Sequence, residues 1–101
     1  MIHVVARIQL KPGMLPPFLL EFRELAVLVR QEAGCMDYFP ARDVRTGMET
    51  QEYSLDAVTI FEKWSDRRAL EAHLRSGHMR SFQDRIKDMV LDTRLSIIEE
   101  I

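Results

Sequence analysis

Apolar residues recur along this chain at two different spacings, and the switches between them mark out its secondary structure. Residues 2–10 place Ile2, Val4, Ala6, Ile8 and Leu10 on one side and His3, Val5, Arg7 and Gln9 on the other, the period-two signature of a strand covered on one face. The turn Lys11-Pro12-Gly13 ends it. Spacing then changes to three and four: Phe18, Phe22, Leu25, Ala26 and Val29 share one helical face. Pro16 and Pro17 suit the first turn of that helix, where a missing N–H costs nothing, and Gly34 marks the stop. Residues 35–44 predict an irregular or edge strand, because Pro40 cannot donate to a ladder. Residues 57–64 return to period two, with Val58, Ile60, Glu62 and Trp64 on one face and Thr59, Phe61 and Lys63 on the other. Glu62 is the charged member of an otherwise apolar row.

Residues 45–56 are polar, contain Gly47 and predict a connection long enough to act as a mobile lid. Ser65 is expected to cap a short helix over 66–74, with Asp66 complementing the positive end of its dipole. Ser76-Gly77 breaks that helix, and a second one runs to about residue 89 with Met79, Phe82, Ile86 and Met89 as its apolar stripe. The tail returns to strand character with Leu95, Ile97, Ile98 and Ile101. The resulting order β-α-β-β-α-β is an α+β fold, the ferredoxin-like split βαβ arrangement with an antiparallel sheet, filling 1–101 as a single domain. Helices cover one face of such a sheet, and Val5 and Phe61 point to the other, so a homodimer is expected to bury it.

Composition narrows the function classes. Fourteen basic against sixteen acidic residues give a net charge of −2 without long runs, so no nucleic-acid footprint is present. A single Cys35 excludes an intramolecular disulfide and a zinc set built from cysteines, and packing is its default role. No apolar run approaches the ~20 residues that span a bilayer, and the first ten residues lack a basic leader and cleavage site. A cytoplasmic, non-membrane protein is expected. A chain of 101 residues is short for a deep private cavity, so a pocket is expected to need a partner subunit.

The chemistry concentrates in 57–82, where a strand ends at Trp64 and hands the chain to helices carrying His73 and His78. Imidazole titrates nearest neutral pH, so two of them beside an indole suit acid/base work on an apolar substrate. The bland alternative is a pair of hydrogen-bonded structural histidines at a helix junction. Two His with Glu62 as a third ligand form a conceivable metal set, but i,i+5 is poor same-face spacing and Gly77 interrupts it, so no metal is expected. Trp64 reads as core anchor or as the wall of an aromatic slot. Met36, Met79, Phe82 and Met89 read as ordinary core or as pliable lining. Glu62 reads as a pocket acid or, preferably, as the partner of Arg67 or Arg68.

The run FEKW-SDRR-ALEAHL-RSGHM resembles the antibiotic biosynthesis monooxygenase domain, in which a strand ending Glu-x-Trp precedes Ala-Leu-x-x-His and a second His-Met or His-Tyr. The matching positions are Glu62, Trp64, Ala69, Leu70, His73, His78 and Met79. MIHVVARIQLKPG is similar to the family's first strand and turn, and EAGCMDYFPARD to its Glu-x-Gly-Cys-x-x-Tyr second strand. Within the family the chain is most similar to small quinol monooxygenases. That resemblance implies a dimeric α+β barrel that oxidises reduced quinones with molecular oxygen and no other cofactor. It also brings in haem degradation and an isomerase of a small phosphorylated ketone, the autoinducer-2 phosphate type. Against the haem branch, its first-strand Asn is replaced by Ala6, and the chain has no Asn at all.

A cofactor-free oxygenase must deprotonate a dihydroxyaromatic so that the electron-rich anion reduces oxygen itself. His78, at a helix start where the dipole disfavours a protonated ring, is the better base. His73, in a last turn, then serves as donor to the anion, while Trp64, Glu62, Met79, Phe82 and Met36 shape the substrate slot. For the isomerase reading, Arg75 and Arg80 are the available phosphate ligands, and surface solvation explains them equally well. A third reading is a module that binds an aromatic ligand without turning it over.

Overall fold

Strand β1 (Ile2–Leu10) forms where its alternation predicts, and Val4, Ala6, Ile8 and Leu10 are buried. Helix α1 (Leu15–Val29) starts on its two prolines and buries Phe18, Phe22, Leu25, Ala26 and Val29, the five residues expected from spacing. It is followed by β2 (Cys35–Arg42), β3 (Ala57–Trp64), α2 (Arg67–Leu74), α3 (Gly77–Ile86), a short 3₁₀ turn and β4 (Val90–Ile98). This computed structural model describes residues 1–101 and has no helix long and apolar enough to cross a membrane. The sheet is antiparallel in the order β2-β3-β1-β4, so the two halves of the ferredoxin-like pattern interleave as predicted.

Several boundaries differ from the sequence expectation for local reasons. Asp66, not Ser65, caps α2: its backbone is extended and its carboxylate accepts the Ala69 N–H at 2.8 Å. Ser65 instead donates its N–H to the carbonyl of Gly34. Helix α3 stops at Ile86, and the last turn tightens over Lys87–Met89 before β4. Strand β2 is an edge strand, as Pro40 requires, and is irregular at Met36, where the register shifts.

Strand β2 also ends earlier than expected, because Asp43 turns toward β1. Its carboxylate accepts two hydrogen bonds from Arg7, at 2.8 and 2.7 Å, and the Ser54 N–H at 2.9 Å. The connection 45–56, expected to be a lid, is therefore anchored at its ends. Within it, Gln51 donates to the Val44 carbonyl and pairs with the Thr46 hydroxyl. The hydrogen bond from Arg7 holds the Asp43 carboxyl below its ordinary range, helped by the Ser54 N–H. A carboxyl depressed in the folded state stabilises fully above its unfolded pKa and loses that contribution as pH falls through the folded value. Asp43→Asn is thus expected to cost about 1–2 kcal/mol at neutral pH. The deficit should shrink below about pH 4. Urea titrations of both proteins across that range check this, and a gap that stays constant into acid contradicts it.

The helices pack on the sheet face carrying the even-numbered β1 residues, while the opposite face stays open. On the open face Phe39 and Phe61 stack at 5.4 Å and are each about 40% exposed. They border a cleft of about 390 Å³ together with His3, Val5 and Ile98. Past Val90, which packs against the core, strand β4 lies beyond the helices: Leu95 and Ile97, which pair with helix-side residues of β1, are as exposed as Ile98 on the other face.

Candidate functional site

Two of the expected site residues meet through a third that was not expected. His73 lies in the last turn of α2 and His78 in the first turn of α3, the positions predicted from the Ser76-Gly77 break. His73 Nδ1 is 2.9 Å from Glu32 Oε2, and His78 Nε2 is 2.8 Å from the same oxygen. A carboxylate only accepts, so with Glu32 ionised both nitrogens carry hydrogen. One charged oxygen thereby holds both rings in place.

The chain geometry that delivers Glu32 is local. Helix α1 ends at Val29, and a turn follows in which the Glu32 N–H donates to the Val29 carbonyl and the Glu32 carbonyl accepts from Cys35. Gly34 closes that turn at φ +83°. A Cβ at Gly34 would lie 2.5 Å from Ser65 Oγ and 2.6 Å from the Ala69 side chain. Only glycine lets the turn after α1 approach the start of α2 this closely, and that approach sets Glu32 beside His73.

His73 is fully buried, and its ring lies 4.6 Å from that of Trp64 and 5.6 Å, edge on, from that of Tyr38. Its second nitrogen, Nε2, has no hydrogen-bond partner and sits 3.9 Å from Glu62 Oε1. Glu62 does not pair with Arg67 or Arg68: Arg67 bonds Glu71 at 2.7 Å, and Glu62 accepts the Trp64 indole N–H at 3.0 Å. Burial of Glu62 raises its pKa, opposed by the indole hydrogen bond and by His73. Burial likewise pushes the Tyr38 hydroxyl and the Cys35 thiol up, which disfavours a Cys35 thiolate.

His78 is the solvent-side member. It lines a cleft of about 360 Å³ between α1 and α3 with Glu24, Leu25, Leu28, Ser81 and Arg85. Trp64, Met79 and Phe82 are core residues behind the array. Met36 stands apart at the β2 irregularity, about half exposed and outside that core. Arg75 and Arg80 are exposed. Sequence reasoning missed Glu32 as a functional group because an acidic residue after a helix reads as solvated. The signal was present in the Glu-x-Gly-Cys run, where Glu32 is two residues before the glycine that brings it inward.

The family profile described as antibiotic biosynthesis monooxygenase matches residues 1–85. The protein named "Probable quinol monooxygenase YgiN" from Escherichia coli (strain K12) is 31% identical over 101 residues, covering 98% of this chain and 97% of its own. A conserved protein from Methanosarcina mazei Go1 superimposes with a TM-score of 0.85 at 25% identity, over 99% of this chain and 92% of that one. A structure titled "Crystal structure of antibiotic biosynthesis monooxygenase" gives 0.84 at 24% identity, over 100% and 99% of the two chains.

Proposed function

Because the chain belongs to the antibiotic biosynthesis monooxygenase family, we propose that it is a cofactor-independent oxygenase of small reduced quinones or related polyphenols, working as a homodimer. The observation that carries this reading is the single Glu32 oxygen joining two imidazoles, one on a surface cleft and one sealed in the core. A quinol in the cleft gives its hydroxyl proton toward His78, and Glu32 keeps that ring oriented. His73, sealed behind the same oxygen, does not reach the anion as a donor and is instead a second ring across which that carboxylate spreads positive charge. Removing the proton leaves an electron-rich anion, which reduces oxygen directly. Quinol plus O₂ gives hydroxyquinone plus water, with all four electrons coming from the substrate.

In this reading Trp64, Met79, Phe82 and Glu62 hold the imidazoles in register from behind. Leu25 and Leu28 offer the apolar wall against which a ring packs. The stacked Phe39 and Phe61 with Ile98 support a second copy over the open sheet face. Light scattering should return twice the chain mass, and a monomer mass contradicts that assembly.

Oxygen consumption with a chemically reduced naphthoquinone, in the presence of a metal chelator, tests the activity. The protein should consume oxygen well above the spontaneous rate, and His78→Ala should lose most of that gain, about 10²-fold or more. Uptake at the spontaneous rate, or stoichiometric ligand binding with no turnover, overturns the proposal.

A further inference from the structure

We propose that Glu32, His73 and His78 also form a binding site for a divalent transition cation, with Zn²⁺ as its natural probe. One donor atom from each residue lies within 4.8 Å of the other two. The carboxylate oxygen is already 2.9 and 2.8 Å from the two nitrogens, near the spacing of about 3.3 Å between ligands set ~2.0–2.1 Å from a tetrahedral zinc. The sequence objection is that i,i+5 is poor same-face spacing with Gly77 interrupting the segment. It does not hold, because α2 ends at Leu74 and α3 begins at Gly77, and the break turns the two rings onto one point. The third ligand is Glu32 rather than Glu62.

The orphaned nitrogen of His73 gives an independent reason. When Nδ1 binds a cation, the ring proton resides on Nε2, which becomes a donor and needs an acceptor. Glu62 Oε1 faces it at 3.9 Å, about 1 Å beyond a hydrogen bond, and is already oriented by the Trp64 indole. A ligating imidazole backed by a carboxylate is the usual outer shell of a metal site. The two carboxylates also match the charge of a dication. Glu32 and His78 retain 16% and 27% side-chain exposure, which leaves an approach and a fourth position for water. Two imidazoles and one carboxylate select zinc or copper over magnesium or calcium. A His78 ring that binds the ion through Nε2 carries its hydrogen on Nδ1 and has no nitrogen left to take the quinol proton, so Zn²⁺ should inhibit quinol oxidation; that consequence, unlike the binding, rests on the proposed function.

Calorimetric titration of Zn²⁺ into the tag-free protein, without quinol, tests the site. One ion per chain should bind with release of protons. Glu32→Gln and His78→Ala should each weaken binding at least tenfold, while His3→Ala should leave it unchanged; thermal melting confirms that each variant is folded. No binding, or equal affinity in wild type, Glu32→Gln and His78→Ala, overturns the proposal. Oxygen uptake is measured under chelation, so loss of turnover and loss of metal binding are separate results.

Discussion

Glu32→Gln should lower the turnover number for quinol oxidation by about 10²–10⁴-fold, with a much smaller change in KM. Glutamine matches the length of glutamate but presents one oxygen and one NH₂, and its neutral oxygen is a weaker acceptor than a carboxylate. Glu32 Oε2 now receives both His73 Nδ1 and His78 Nε2, so an amide either keeps a neutral oxygen in that place, a weaker acceptor for both rings, or turns its NH₂ against both. Either way both rings lose the shared charge that holds them, and for the buried one that oxygen is the only hydrogen-bond partner. Glu32 lies one residue removed from the quinol, so it is a positioning residue, and the split between kcat and KM separates that role from substrate binding. Oxygen uptake over a range of quinol concentrations measures both. Wild-type kcat in a folded Glu32→Gln protein would leave the array without a catalytic part.

Trp64→Ala should cost about 3–5 kcal/mol of stability, the largest loss expected from any single truncation here. The indole is fully buried between the sheet and α2. Its removal opens a cavity beside His73 and takes the donor from Glu62, whose side chain is only 10% exposed. Trp64→Phe keeps most of the apolar volume and deletes the N–H alone, so it should cost about 1–3 kcal/mol. The pair of variants divides packing from hydrogen bonding. Urea denaturation measures both; a loss below about 1 kcal/mol for Trp64→Ala contradicts the claim that this ring anchors the site.

Much of the fold was legible because burial and period coincide. The α1 stripe of Phe18, Phe22, Leu25, Ala26 and Val29 and the β1 alternation of Val4, Ala6, Ile8 and Leu10 each face the core that their spacing implies. Caps were less legible, since Ser65 and Asp66 both carry acceptors and the choice depends on which backbone is extended. For the site, the residues flanking the Ser76-Gly77 break were readable from the break itself. What joins them was not: His73 and Glu32 are 41 positions apart, and a contact across the chain has no local period. Glu62 was misjudged for a related reason, because its partner Trp64 lies two residues away on the same face, where a charge search through Arg67 and Arg68 does not look. The Glu-x-Gly-Cys run held the clue, and its physical content is the left-handed Gly34 that lets Glu32 turn inward.

Catalysis at this site depends on Glu32 accepting hydrogen from both rings. Nitrogen-15 spectra of imidazole-labelled, metal-free protein report which ring nitrogens carry hydrogen. They should place it on His73 Nδ1 and His78 Nε2, with both assignments lost together in Glu32→Ala. Hydrogen found on His73 Nε2 alone, with Nδ1 bare, would mean that the buried ring turns to Glu62 instead and that the two imidazoles do not share a carboxylate.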